Sequence, residues 1–346
     1  MQIKTSELRA ALDFVGPFAA SGNSPLLIAS FVRLAMTDDG LVLTCTDFTA
    51  TARSRPVPCT GDLDICLPVE LFKAFVAKAG DTLDLSATER GAALKSGRVR
   101  AQIGAMPGAD FPVLPEDSAK VTEVRGVDLS AMLASVVGAA AVRDVRPWAN
   151  GVALQHADGK LVCVATDGGL AVVNEVEHDC EDFSLILHKD IVERLPKIES
   201  AEILERGVRF ECAAGTVTAN AMDAQFPDWR RIFSVKQKLA FRCDTKGLLD
   251  AIHSSAPFQA NGKAGRVVRL DVGEALKVSG KTETQMMEAE IECAGDPVSA
   301  GFQTKYWMEI LKQDLPAEIE VRFTDGKSQF QINNGNWRAV IMPFRV

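Results

Sequence analysis

The stretch DGLVLTCTD, Asp39 to Asp47, nearly returns as DGKLVCVATD, Asp158 to Asp167, and the two closing aspartates stand 120 residues apart in a chain of 346. A sequence that repeats at a third of its own length is tightly constrained in what it can fold into, so the repeat is read before any single element. Copy one runs from Val32 to Asp47 (VRLAMTDDGLVLTCTD) and copy two from Val152 to Asp167 (VALQHADGKLVCVATD). A third copy, VRLDVGEALKVSGKTE, runs from Val268 to Glu283, with Thr282-Glu283 in the Thr-Asp place. Its inner Leu276 is displaced by one position, so this copy is degraded.

The rest of the unit recurs too. Leu8, Leu12 and Val15 fall at helical spacing, as do Leu129, Met132, Leu133 and Val136, and then Leu248, Leu249 and Ile252. Ser6, Asp128 and Asp244 or Thr245 are placed to cap these helices. A second helix is expected in VELFKAFVAKAG, KDIVERLPKI and TKYWMEILKQDL. Each unit closes with a strand marked by Val99, Val217 and Trp337, at intervals of 118 and 120. MEAEIEC alternates apolar and acidic residues, the pattern of a sheet with one wet face. Phe111-Pro112 and Phe226-Pro227 mark extended joints, because Pro biases its predecessor away from helix. The period is too long for a solenoid. It describes an α+β chain of three similar domains, 1–119, 120–238 and 239–346, each with two helices on antiparallel sheets.

Composition adds limits. The chain is 47% hydrophobic and 24% charged, as soluble globular proteins are. No apolar run nears the ~18 residues of a membrane span, and MQIKTSELRA lacks the basic start and apolar core of a signal peptide. The cytoplasm is the expected compartment, with no membrane partner. Eight cysteines include no C-x-x-C pair and are expected as buried thiols without disulfides. A net charge of −8 argues against a general basic coat, but not against a local basic surface.

Catalytic patterns are missing. Neither G-x-x-x-x-G-K-[ST] nor G-x-G-x-x-G occurs, and His156, His178, His188 and His253 lack zinc spacing. His178 beside Asp179 and Cys180 is weak ground for a nucleophile. Asp62 and Asp64 read as the polar face of a strand. Asp47 and Asp167 occupy the same place in their own repeats, which favours turn residues over a carboxylate pair. No catalytic residue, metal ligand or cofactor is expected.

Several motifs carry a resemblance. DFPVLP, DVRPWANG followed by VATDGGLAVV, FPDWRRIF and the terminal VIMPFRV occur in the order found in the bacterial DNA polymerase III beta subunit, the sliding clamp. The chain resembles that family along its whole length, as a divergent member. The resemblance implies a clamp fold without catalysis. In that family two chains join head to tail into a ring around duplex DNA, and the ring tethers a replicative polymerase for processive synthesis; the resemblance implies the same here. A heterologous contact closes when the rotation between subunits is 180°. Contact with DNA would then be through phosphates and shape, independent of sequence.

For the DNA channel the resemblance points to Arg9, Lys73, Lys78, Arg143, Arg146, Trp148, Lys189, Lys197, Lys246, Lys305 and Lys312. The family also docks polymerase, clamp loader and repair proteins through short hydrophobic peptides, in a cleft between domains two and three. The matching positions are Ala149, Thr166, Gly168, Gly169, Leu170, Ala171, Pro227, Arg231, Ile232, Tyr306, Val340, Ile341, Met342, Pro343, Phe344, Arg345 and Val346. The chain departs from the family at Gly169-Leu170, where His-Arg is typical after Thr-Asp-Gly, and at Ser21, where an Arg is usual. The alternative is a clamp-fold adaptor or decoy that binds peptides without encircling DNA.

Overall fold

A computed structural model describes residues 1–21, 25–89, 91–112, 118–260 and 265–344. The helices are α1 (Thr5–Val15), α2 (Val69–Lys78), α3 (Leu129–Val137), α4 (Lys189–Arg194), α5 (Arg230–Phe233), α6 (Thr245–Ser255) and α7 (Thr304–Leu311). All but α5 are helices the repeat predicts. In α1 the helical stripe Leu8, Leu12 and Val15 is fully buried, each side chain contributing about 1.5–3 kcal/mol by leaving water. Capping follows the sequence at one end and departs from it at another. Asp244 caps α6 by accepting the Gly247 N–H at 2.5 Å. Helix α1 starts earlier than Ser6 suggests: its cap is Lys4, which offers no side-chain bond, and Ser6 lies inside the first turn.

The chain divides into two compact units, each with one large and one small sheet. Met1–Ser130 and Glu193–Ala221 make the first, Ala131–Val192 and Met222–Val346 the second. The central third of the sequence is therefore shared between them.

In the first unit a nine-stranded antiparallel sheet runs Lys120–Val124, Ile198–Leu204, Gly207–Cys212, Gly215–Asn220, Ala50–Ser54, Gly40–Thr46, Phe31–Thr37, Asp64–Pro68 and Met106–Pro107. Its four-stranded sheet runs Gln2–Lys4, Thr82–Thr88, Gly91–Ser96 and Val99–Ile103. Helices α1 and α2 lie side by side. Phe111, from the first joint, is buried with Phe31 and Cys66.

In the second unit the nine-stranded sheet runs Phe183–His188, Gly151–Ala157, Lys160–Thr166, Leu170–Glu177, Trp337–Ile341, Phe330–Asn334, Glu318–Phe323, Leu239–Asp244 and Cys293–Gly295. Its four-stranded sheet runs Met286–Ile291, Leu276–Lys281, Val267–Val272 and Val298–Gln303. Helices α6 and α7 are neighbours. Each large sheet thus crosses from one repeat into the next. Ala50–Ser54 pairs with Gly215–Asn220, and Leu170–Glu177 with Trp337–Ile341.

The displaced Leu276 has a local cause. The first two hairpins turn through two residues, Asp38-Asp39 and Asp158-Gly159, between strands ending at Thr37 and Ala157 and resuming at Gly40 and Lys160. The third turns through Gly273, Glu274 and Ala275, one residue more, closed by Gly273 N–H to Ala275 O at 3.1 Å. Its flanking strands each give up a residue: Leu34 pairs with Leu43 and Leu154 with Cys163, but Leu270 pairs with Val278, so the hairpin is shorter by one residue overall and Leu276 falls one place early.

Cys45, Cys66, Cys163, Cys212 and Cys243 are buried, and no disulfide joins the cysteines. Burial pushes Cys66 and Cys243 up to about 12 and Cys212 to about 11, with Cys45 and Cys163 raised further. The thiolate is the reactive form. Iodoacetamide at pH 8 should therefore label native protein at Cys59, Cys180 and Cys293 only, and all eight positions in urea, as peptide mass mapping will read. Rapid labelling of native Cys163 would contradict this core.

Candidate functional site

The two Thr-Asp turns are the same object built twice. Asp47 Oδ1 accepts the N–H groups of Thr49 and Ala50, both at 2.9 Å. Asp167 Oδ1 accepts those of Gly169 and Leu170 at 2.9 and 3.0 Å. Thr46 and Thr166 each donate a hydroxyl to a carbonyl four residues on, Ala50 O at 3.0 Å and Leu170 O at 2.7 Å. The third residue has positive φ in both, 69° at Phe48 and 93° at Gly168. The aspartates hold turns, as their repeated position implies.

Their second carboxylate oxygens reach further. Asp47 Oδ2 meets Arg194 Nη2 of α4 at 2.8 Å, and the Arg194 guanidinium also lies over the Phe18 ring. Burial works to raise the Asp47 carboxyl; the bonds from Thr49 and Ala50 and the Arg194 charge outweigh it and hold it below its ordinary value. Asp167 Oδ2 accepts a hydrogen bond from Tyr306 Oη at 2.9 Å and pairs with Lys305 Nζ at 3.1 Å, both from α7. Tyr306 is buried, and burial with the adjacent Asp167 charge pushes its phenol well above the usual range.

Around this second turn lie several of the residues that the resemblance assigns to a cleft: Thr166, Gly168, Gly169, Leu170, Tyr306 and Met342. The strand pairing sets Leu170 opposite Ile341 and Ala171 opposite Val340. Thr166, Leu170, Ala171, Val340 and Ile341 are buried, and so is Ala149; Ala171 and Val340 point to one face of the sheet, Leu170 and Ile341 to the other. Pro227 and Arg231 are exposed, with Ile232 half-buried on α5. The tail is anchored by its backbone: Met342 N–H bonds to Gly169 O at 2.8 Å and Phe344 N–H to Gly301 O at 2.7 Å. Met342 and Phe344 nevertheless expose 41% and 39% of their surface, so two large apolar side chains face water. Pro343 is half-buried; Arg345 and Val346 lie outside the described residues.

The Gly169 departure acquires a cause here. A Cβ on Gly169 would lie 2.3 Å from Tyr306 Oη, so the phenol fills the space a side chain needs. At Gly168 the nearest group is the Arg146 guanidinium, whose Nη2 donates to Asp167 O at 2.8 Å. Arg146 is held there by Asp144, whose own carboxyl those bonds lower to about 2.

The residues assigned to DNA separate into groups. Lys78, Arg143, Lys197 and Lys246 are exposed, with no hydrogen-bond or ion-pair partner for their side chains among the described residues. Arg9 donates to the carbonyls of Val76 and Ala77 at the end of α2, and Lys73 pairs with Asp13 at 3.3 Å. Lys189 donates to Ala140 O at 3.2 Å, and Lys312 pairs with Glu309. Arg146, Trp148 and Lys305 lie with the cleft. Trp148 packs edge-on against Phe226 at 5.8 Å under the Arg146 guanidinium.

Sequence reasoning passed over Asp144 and the apolar patch of Trp229, Phe226 and Phe233 on Val162, Val164 and Val173. The aromatics of FPDWRRIF were a signal for that patch. Ser21 is exposed. Those residues hold no cluster of three or more His, Cys, Asp or Glu placed to bind a metal, and no helix long and apolar enough to cross a membrane.

Nine-stranded sheets that run from one repeat into the next, with paired helices in each unit, are the arrangement of the DNA clamp fold. The fold matches solved structures across the chain. The DNA polymerase III subunit beta from Pseudomonas aeruginosa superposes with a TM-score of 0.88 at 22% identity, covering 100% of both chains. The same subunit bound to griselimycin gives 0.89 at 21%, covering 100% of this chain and 99% of that one. By sequence, the beta sliding clamp of Salmonella typhimurium is 27% identical over 367 aligned positions, 96% of this chain and 95% of the relative. No protein-family model matches the chain. The chain is a divergent relative of the bacterial beta sliding clamps, the beta subunits of DNA polymerase III.

The Gly169–Tyr306 contact gives a stability test. Gly169→Ala should force the phenol away from Asp167 and cost about 1–3 kcal/mol, the range for a lost hydrogen bond to a charged group. Tyr306→Ala opens the space, so the double variant should lose less than the two single losses combined. Urea midpoints measure the cycle; strict additivity would mean the two residues do not contend for one space.

Proposed function

We propose that this chain is a DNA sliding clamp: two copies close into a ring around duplex DNA and tether a polymerase for processive synthesis, with no catalysis of their own. The observation that carries the reading is the match to clamps over the whole chain, in both sequence and fold. The domain division 1–119, 120–238 and 239–346 belongs to the same reading. Each of the three would supply helices to the channel, with Lys78, Arg143, Lys197 and Lys246 as its unpaired cations. A linked ring needs little affinity per contact, because each phosphate contact adds salt-dependent binding and friction.

Sheet topology supports the homodimer. In the first two repeats, the strand after the Thr-Asp turn pairs with the closing strand of another repeat. The third repeat's counterpart, Met286–Ile291, is an edge, and so is the first repeat's closing strand, Val99–Ile103. Unpaired edges invite another strand. These two are complementary: Glu288 and Glu290 lie on one, Arg98 and Arg100 on or beside the other. Met286 and Val99 also expose 58% and 53% of their surface. We infer that these edges join two copies antiparallel, head to tail.

The ring is tested by mass and by topology. The protein should run at twice 37.2 kDa, stay on closed circular DNA once loaded, and leave when the circle is cut. Glu288→Arg with Glu290→Arg should weaken the dimer, and Arg98→Glu with Arg100→Glu in the other copy should restore it. A strict monomer at micromolar concentration with no retention would overturn the ring and favour the peptide-binding adaptor.

The peptide cleft rests on the exposed Met342 and Phe344 of the tail, anchored at Gly169 and Gly301, with Pro227 and Ile232 included from the resemblance. Deleting Pro343 to Val346 should abolish binding of a short hydrophobic polymerase-type peptide, read by fluorescence anisotropy, and leave the dimer mass unchanged. Unchanged peptide affinity would put the cleft elsewhere.

A further inference from the structure

A cavity of about 360 Å³ lies on the same sheet face as the proposed cleft. Its floor is Val162, Trp229 and Phe233, and its rim carries Lys160, Arg230 and Arg338. On the strand Trp337–Ile341, Val340 belongs to the cleft and Arg338 to this cavity. They are two residues apart, so they share a face and stand about 7 Å from each other. Their partners Ala171 and Val173, and then Glu175, continue the same row on the adjoining strand. Helix α5 is the divider: Ile232 belongs to the cleft and Phe233 to the cavity.

The charges are not equivalent. Glu175 is already met by Arg338 at 3.1 Å and Lys160 at 3.5 Å. Arg338 also lies over the Phe233 ring, 5.2 Å from its centre. Asp158 is the other lining carboxylate, leaving three cations against two anions. Arg230 is the cation left over. Its guanidinium lies 4.8 Å above Trp229 and meets no carboxylate among the described residues. A cation fixed on an aromatic face beside an apolar floor, in a chain of net charge −8, is a place for an acidic side chain to lay its methylenes on the rings and its carboxylate on the guanidinium.

We propose that this cavity is a second subsite of the docking cleft, and that it takes an acidic residue flanking the hydrophobic peptide. The inference rests on the cleft reading and adds to it: the apolar core of the peptide sits by Met342 and Ile232, and its acidic flank crosses α5 to Arg230. A site of this volume accommodates one or two side chains.

Anisotropy with synthetic peptides separates the two readings. One peptide carries only the hydrophobic core; two others add a Glu-Glu extension at one end or the other; matched peptides carry Lys-Lys. One acidic extension should tighten binding about three- to fivefold at low salt, the range of one or two exposed ion pairs, and the gain should fade as salt rises. Arg230→Glu should abolish the gain, leave core-peptide affinity unchanged and favour the Lys-Lys peptide; Arg230→Lys should keep most of the gain. Matching urea midpoints establish that the variants are folded. If neither acidic extension helps, or the gain survives in Arg230→Glu, the subsite is overturned while the cleft stands. If the core peptide itself does not bind, the cleft reading falls, and this inference with it.

Discussion

The need of a β-strand for partners on both sides organises this molecule. A strand edge in water is tolerable but adhesive, and each repeat generates such edges. Within each unit the solution is to borrow a strand from another repeat, Gly215–Asn220 beside Ala50–Ser54 and Trp337–Ile341 beside Leu170–Glu177. Compact units consequently do not coincide with repeats, and the middle third of the sequence contributes to both. Everything proposed for the assembly, from the acidic and basic edges to the closed ring, extends that one requirement to the strands still without partners.

The Thr-Asp turns show how one local motif acquires different surroundings without changing its geometry. Both copies satisfy the backbone of a tight turn with one carboxylate oxygen and leave the other free. In one copy that oxygen meets an arginine on α4; in the other it meets a tyrosine and a lysine on α7. The second arrangement ties α7 to the turn that holds the Met342 backbone, where Met342 and Phe344 stay exposed, and that is the place proposed for a cleft. Local chemistry is repeated, and its surroundings decide what it does.

Much of this was legible in the sequence, for physical reasons. Periodicity located α1, α3 and α6 because a buried stripe must recur every 3.6 residues. The repeat also identified the second helices, and Asp47 and Asp167 as turn residues. Sequence could not give which strand of one repeat pairs with which strand of another, since those contacts depend on register between distant segments. Nor could it give the fate of long cations. Arg146 and Lys305 look alike as charges on or near helices, yet each is committed to the Asp167 turn, while Lys78 and Lys246 extend into water. The missing side chain at Gly169 was visible; its reason, the phenol of Tyr306 in the same space, required coordinates. Ser6 has the look of a cap in the sequence, but the helix begins at Thr5, whose N–H is met by Asp81 O of the neighbouring chain segment.

Strand exchange between repeats also has a cost in time. Ala50 pairs with Ala219 and Leu170 with Ile341, so each large sheet closes a loop of roughly 170 residues, and pairings so distant form slowly. A chain emerging from the ribosome at about 5–20 residues per second must hold one edge of Ala50–Ser54 bare until Asn220 has been made, the other edge being paired with Gly40–Thr46. It must hold one edge of Leu170–Glu177 bare until Ile341 has been made. Neither sheet can be completed by its own repeat, so synthesis leaves two bare strand edges waiting in turn. The borrowed strands that stabilise the finished protein make its own translation the interval of greatest exposure.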